Sequence, residues 1–323
     1  MSHCIVIDHR QLQLESWLST IFPAQSVFIK PIAGDASFRR YFRVQVGAVS
    51  YIAMDAPPKK EACGPFVAIA TAFENASAVR FPKIHFSNMA QGFLLLSDFG
   101  DQQLLHLLNS ETADTLYHSA MQTLLSMQRA ATLTNLPVFN NALYWQEFDL
   151  FSDWYLKKNL QKQLSCAEKN VLRAQYQLLI DAANAQPSVF VHRDYHSRNL
   201  MVCKDGLFGV LDFQDAAVGP VTYDLVSLLR DCYIDWPIEK TEKWAFTFYQ
   251  QLNIATDFSV FLRWFDWMGL QRHLKCLGIF SRLSYRDQKH GYLNDIPRVL
   301  NYALAVCDRY SELQDLKQFL MRA

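Results

Sequence analysis

Two short stretches of this chain concentrate side chains able to do chemistry. His192-Arg193-Asp194-Tyr195-His196-Ser197-Arg198-Asn199 follows the apolar run Ser188-Val189-Phe190-Val191, and Asp212-Phe213-Gln214-Asp215 follows a second run, Leu207-Phe208-Gly209-Val210-Leu211. The set reads H-x-D, then an asparagine five residues after the aspartate, then a hairpin ending in D-F. Phosphoryl transfer needs a carboxylate that orients or deprotonates the acceptor hydroxyl, and hard oxygen donors that hold Mg²⁺ against the phosphates of ATP. Asp194 suits the first role, Asn199 and Asp212 the second. A lone aspartate or histidine in a loop is usually a cap or turn residue, but the complete set is hard to assemble by accident. For Arg193 and His196 taken singly, bracing the loop is as good a reading as touching a reactant.

The elements around this block are those that would position it. One strand brings the chain to Asp194, Leu200-Met201-Val202-Cys203 leaves, Lys204-Asp205-Gly206 turns, and 207–211 returns to deliver Asp212. Upstream, the pattern predicts a short helix over 11–22, strands over 27–32, 38–46 and 49–54, a helix over 61–79 and a strand over 92–96. Pro57-Pro58 ends the third strand, since proline supplies no ladder donor. From 101 onward the reading is helical: 101–108, 111–129, 145–160, 167–184, 221–230, 238–251, 260–280 and 296–320, with strand signals only around the Asp194 loop. This is an α+β chain with a small antiparallel β lobe (residues 1–100) and a larger, mainly helical lobe (residues 101–323). That is the order of a protein-kinase-like two-lobe fold, and nucleotides bind readily in such a cleft.

The nucleotide end is read from three places. Gly34-Asp35-Ala36-Ser37, between the first two strands, is either a loop whose backbone N–H groups cover the ATP phosphates or a plain hairpin turn; it is not a P-loop. Where kinase small lobes place a lysine at the end of the third strand, this chain has Met54. Of the nearby cations Arg39, Arg40, Lys59 and Lys60, one of the two arginines is the favoured substitute, and strand alternation sends Arg39 and Arg40 to opposite faces. Ser97-Asp98-Phe99 ends the last strand of the lobe, where backbone groups can read an adenine edge or simply close a strand.

Composition narrows the partners. The 323 residues are 50% hydrophobic and 19% charged, with 31 basic and 31 acidic side chains. A net charge of zero argues against nucleic acid or a membrane surface as a partner recognised by global charge. No apolar run approaches the roughly 20 residues of a membrane span, and the first residues carry no basic start followed by a long apolar segment, so the expected location is cytoplasmic. The seven cysteines are scattered and form no C-x-x-C, which reads as reduced thiols rather than a zinc site. Nothing calls for an obligatory protein partner.

The catalytic block, with Leu211-Asp212-Phe213, resembles the aminoglycoside phosphotransferase family of small-molecule kinases, whose motif is H-G-D-x-H-x-x-N followed by I-D-F/W; Arg193 replaces the usual glycine. Three further stretches resemble its bacterial cell-wall-recycling sugar kinase branch: 34–43 (GDASFRRYFR), 54–58 (MDAPP) and 212–225. The resemblance implies ATP and Mg²⁺ as cofactors and transfer to the anomeric hydroxyl of N-acetylmuramate or N-acetylglucosamine, giving the α-1-phosphate. It also implies that Asp224 braces the catalytic loop. Only twelve positions separate Asp212 from Asp224, too few for the long segment that docks protein substrates, and no A-P-E follows. Glu147, Trp154, His196, Asp215 and Arg230 are the candidate sugar contacts. Arg230 would suit the lactyl carboxylate, or is a helix C-terminal cation. The aromatic set Tyr144-Trp145, Trp154-Tyr155 and Trp264, Phe265, Trp267 reads as core before it reads as a sugar platform. Two rivals stand: an antibiotic kinase, which would need an acidic pocket, and a catalytically dead nucleotide-binding protein, which the missing lysine would suit.

Overall fold

The five strands described in the first 100 residues pair with one another in antiparallel fashion. The structure, a computed structural model, describes residues 8–32, 38–74, 79–131 and 136–322. The chain divides into two compact units: residues 1–101 with 209–214, and residues 102–208 with 215–323.

In the first unit, helix α1 (His9–Ile21) is capped by the Asp8 side chain, which accepts from Gln11 N–H. It is followed by β1 (Val27–Ile32), β2 (Arg40–Val46), β3 (Val49–Asp55), helix α2 (Gly64–Ala72), β4 (Ile84–Asn88) and β5 (Phe93–Ser97). The sheet order is β1-β2-β3-β5-β4. Alternation turns Phe42, Val44 and Val46 of β2 inward, where they meet Ala53, Phe93, Leu95 and, from α1, Leu14 and Leu18. Pro65 opens α2, a position where a missing N–H costs nothing. The helix expected over 61–79 is therefore shorter, with its side-chain contacts concentrated on Phe66, Ile69 and Ala70. Strand β4 went unpredicted because it is a five-residue edge whose side chains are mostly exposed, so no inward alternation marks it.

The second unit begins with α3 (Leu104–Leu107), α4 (Ala113–Ala130) and α5 (Asn141–Leu150), which runs into a nine-residue π-helix (Phe151–Asn159). Next come α6 (Cys166–Asn184), which carries a Ser165–Glu168 capping box, and the short strands β6 (Ser188–Val191), β7 (Leu200–Val202), β8 (Phe208–Val210, which runs on into the first unit) and β9 (Ala217–Pro220). Helices α7 (Tyr223–Leu229), α8 (Ile238–Tyr249), α9 (Phe258–Asp287), α10 (Ile296–Arg309) and α11 (Gln314–Arg322) complete it. The 30-residue α9 is buried on most of its circumference and packs against α5, the π-helix, α6, α7, α8 and α10. Strand β9, also unpredicted, contains Gly219 and Pro220; backbone pairing with β6 makes it a strand, from Ser188↔Pro220 to Val191↔Ala217. The single helix expected over 296–320 breaks at Tyr310, whose extended backbone lets its hydroxyl donate to Asp266 Oδ2 at 2.7 Å. No helix among the described residues is long and apolar enough to cross a membrane.

Candidate active site

The Asp194 loop is held by hydrogen bonds on every side within the second unit. Strand β6 delivers His192, whose N–H donates to Asp224 Oδ2 at 2.6 Å, while Arg193 N–H donates to Asp224 Oδ1 at 3.0 Å. Burial pushes the Asp224 carboxyl up to about 7, against the downward pull of those two donors. The Tyr195 hydroxyl donates to Ala120 C=O at 2.8 Å, and Ser197 N–H to Asp231 at 2.9 Å. Arg193 has a left-handed φ of 77°, the conformation for which glycine is the easy residue. The two N–H bonds to Asp224 span the turn at which it occurs.

Asp194 itself is half-buried. Burial raises its pKa, but Lys275, His196, Arg272 and His192 together outweigh burial and keep the carboxyl below its ordinary value. It is therefore ionised at neutral pH, as a base must be. His196 is buried and its ring meets Tyr233 edge-on at 5.3 Å. Burial lowers its pKa, which favours the neutral imidazole. Asn199 donates its amide N–H to Asp194 C=O at 2.9 Å. That bond commits the nitrogen and leaves the amide oxygen as a hard donor.

A charge cluster adjoins this loop. Buried Glu147 accepts from Arg193 Nη2, Lys275 Nζ and Gln271 Nε2, each at 2.9 Å. Lys275 also donates to the Tyr223 hydroxyl at 3.0 Å. Burial raises the Glu147 pKa, and Lys275 and Arg193 more than reverse that, so the carboxylate stays charged. Lys275, Gln271, Tyr223, Arg272 and Asp231 were missed from sequence. The available signal was a lysine and an arginine inside the apolar run of α9, where an unpaired charge is not tolerated.

The other expected contacts are distributed unevenly. Asp215 enters the cluster through its backbone, its C=O accepting from Arg193 Nη1 at 3.3 Å. Trp154 is half-buried on the π-helix and makes no hydrogen bond or ring contact with these groups among the described residues. Arg230 is buried; its Nη2 donates to Asp266 at 2.6 Å and its guanidinium lies 4.7 Å from the Phe265 ring centre. The structure ties it to Asp266 rather than to Asp194.

In the first unit, Asp212 has a φ of 63°, and its Oδ1 accepts from Gln214 Nε2 at 2.8 Å. Phe213 is anchored between Phe66 and Phe81, at 4.5 and 4.4 Å between ring centres. Burial first, then the Asp212 charge, pushes the Tyr41 hydroxyl up, and Arg39 opposes this. Arg39 pairs with Glu61 at 3.0 Å and is nearly buried. Arg40 instead pairs with Asp8 and, at 2.6 Å, with buried Asp55, which also takes a bond from Arg10. The Asp98 carboxylate is spent on Arg43 (2.7 Å), Ser50 (2.5 Å) and Gly100 N–H (2.8 Å), so its side chain closes the strand end. Ser97 N–H is taken by Lys83 C=O at 3.0 Å, while Phe99 packs over Gly209. Gly34, Asp35, Ala36 and Ser37 lie outside the described residues. Each within its own unit, the Asp212 carboxylate and the Asn199 amide oxygen are hard oxygen donors of the kind Mg²⁺ selects.

Comparison with known proteins agrees with this chemistry. The chain is 44% identical over 293 residues to a Pseudomonas putida protein named N-acetylmuramate/N-acetylglucosamine kinase, covering 89% of this chain and 86% of that one. It is 38% identical over 322 residues to a protein of the same name from Neisseria meningitidis serogroup B, covering 97% and 95%. Among solved structures, choline kinase LicA from Streptococcus pneumoniae superposes with a TM-score of 0.66 at 11% identity, over 92% of this chain and 100% of that one, which shows the protein-kinase-like fold. The model of the phosphotransferase enzyme family matches residues 29–259, and the chain belongs to that family.

Proposed function

We propose that this protein is an ATP- and Mg²⁺-dependent kinase that phosphorylates the anomeric hydroxyl of N-acetylmuramate, N-acetylglucosamine or both, giving the α-1-phosphate for peptidoglycan recycling in the cytoplasm. The observation that carries this is an ionised Asp194 fixed on a loop of the H-x-D…N form, in a chain similar over nearly its whole length to kinases named for these two sugars. Asp194 takes the proton of the sugar C1 hydroxyl as its oxygen bonds to the γ-phosphorus of ATP; the bond from that phosphorus to the bridging oxygen breaks, and ADP leaves. Asn199 and Asp212 are the residues that would hold Mg²⁺, which would supply charge neutralisation at the phosphates. Arg39 is the cation that stands in for the strand lysine, its pairing with Glu61 matching the lysine–glutamate pair of kinases. By sequence, residues 34–37 are assigned to the phosphates, and the backbone of 97–99, apart from the Ser97 N–H already taken by Lys83, to the adenine.

The charges beside Asp194 favour this reading over an antibiotic kinase. Glu147 is neutralised by both Arg193 and Lys275, and Arg272 adds a further buried cation. With Arg193 and Lys275 closed on Glu147, and Arg272 facing Asp194 and Asp231, the cluster holds no large surplus of acid for a polycationic aminoglycoside to pair with. The test is incubation with ATP, Mg²⁺ and a sugar panel, followed by phosphorus NMR of the product. The expected product carries its phosphate on the anomeric carbon; a 6-phosphate, or turnover of aminoglycosides alone, overturns the assignment.

A further inference from the structure

A groove of about 390 Å³ opens on the second unit between α5, the start of the π-helix and α6. One wall is the half-buried indole of Trp145, braced by Phe148 and Tyr176 at 6.2 and 6.0 Å between ring centres. Tyr176 is in turn stacked on Phe148 at 3.9 Å and 2°, so the wall is rigid. On α6, Lys169 and Arg173 stand one turn apart, where like charges repel; neither forms an ion pair with a carboxylate among the described residues, and the Arg173 guanidinium lies 5.9 Å from the indole centre. Asp149 and Ser152 line the groove beside them. Ser152 belongs to the π-helix, a rare form that is frequent at functional sites.

An aromatic wall, two cations without acidic partners, and a carboxylate and hydroxyl in one groove form a recognisable chemical set. The flat indole suits the C–H face of a pyranose. Asp149 and Ser152 suit its hydroxyls, and Lys169 with Arg173 suit an anionic substituent. None of these residues belongs to the Asp194 loop or to the Glu147 cluster. We propose that this groove is a second, non-catalytic binding site for a monosaccharide carrying a carboxylate or a phosphate.

The experiment follows the Trp145 indole N–H resonance, assigned with Trp145→Phe, in the full-length protein. N-acetylmuramate, glucose 1-phosphate, N-acetylglucosamine and inorganic phosphate are titrated separately at millimolar concentration. The resonance is expected to shift with one or both anionic sugars, and the arm that responds names the anion as carboxylate or phosphate. Neither the neutral sugar nor phosphate should move it comparably. The double variant Lys169→Glu/Arg173→Glu, exposed changes on one helix face, should weaken binding about tenfold or more and leave turnover unchanged. No shift, an equal shift with N-acetylglucosamine, an equal shift with phosphate alone, or full binding by the charge-reversed variant overturns the site. The reading does not depend on turnover: a protein that phosphorylates no sugar can still show the Trp145 response, and an active kinase can lack it.

Discussion

Asp194 is the residue whose surroundings decide most. As the proposed base it can act only when ionised, so on that proposal activity should fail as pH falls through its pKa. Burial alone would place that point above the ordinary carboxylate range; Lys275, the largest of the opposing influences, helps hold it below. Lys275→Gln should therefore move the acid limb of the kcat/KM profile to higher pH, with little loss near neutrality. An unmoved limb alongside a lowered plateau would mean that Lys275 only supports the fold. The variant should also lose stability, because Lys275 is one of two cations on buried Glu147. The folded-state pKa of Glu147 is depressed, so its ionisation contributes stability above its unfolded pKa, and that contribution disappears as pH falls through the folded value. The proposed trio of Asp194, Asn199 and Asp212 could be picked out from the sequence because phosphoryl transfer demands particular side chains at short, fixed separations. Lys275 and Asp231 were not, because they reach the loop from 81 and 37 positions away along the chain from Asp194. The two arginines show the intermediate case. Alternation correctly sent Arg39 and Arg40 different ways, but only folding revealed that Arg40 is committed to Asp8 and Asp55.

Among the elements, the junction of α5 with the π-helix is where tertiary contact overrides local preference. Sequence alone reads 145–160 as one ordinary helix, since composition carries no mark of a change in helical pitch. The mark is elsewhere, at Gly278 in the middle of α9. A methyl group added there would collide with the backbone carbonyl of Leu150 and come within 2.6 Å of Phe151 N. Ordinarily a helix-interior glycine replaced by alanine gains about 0.5–1 kcal/mol. Here the gain should be reversed, because the obstructing atoms are backbone and cannot rotate away. Gly278→Ala is expected to destabilise the protein by about 1–3 kcal/mol, the usual scale for overpacking a filled interior, read as a fall in the denaturant midpoint at constant m-value. A stabilised variant would show that the two helices can move apart at no cost. The same logic explains the other misread elements. Strand β4 has few inward side chains to betray it, and β9 exists through its pairing with β6 rather than through its own residues.

For the whole molecule, the balance of 31 basic and 31 acidic side chains has a kinetic consequence. The proposed reactants, ATP and N-acetylmuramate, are both anions. A protein with a large positive net charge would draw them in from a distance, and that attraction would decay with salt. Here the overall charge vanishes, and two cations beside the Asp194 loop are matched at short range: Arg193 and Lys275 close on Glu147. Such pairs create strong fields over a few ångströms and weak ones beyond the screening distance. Substrate capture should therefore depend on contact rather than steering. Between about 0.02 and 0.2 M ionic strength, where the Debye length falls from roughly 20 to below 10 Å, kcat/KM at saturating free Mg²⁺ should change by no more than about twofold, against the 10-fold or larger effects of steered association. Steady-state kinetics in a salt series with a non-coordinating anion provides the measurement. A tenfold fall would mean that a local patch dominates the far field despite the neutral total. Charge-neutralising variants of Arg193 and Lys275 would then be compared with Lys169 and Arg173, to find which pair sets the salt dependence.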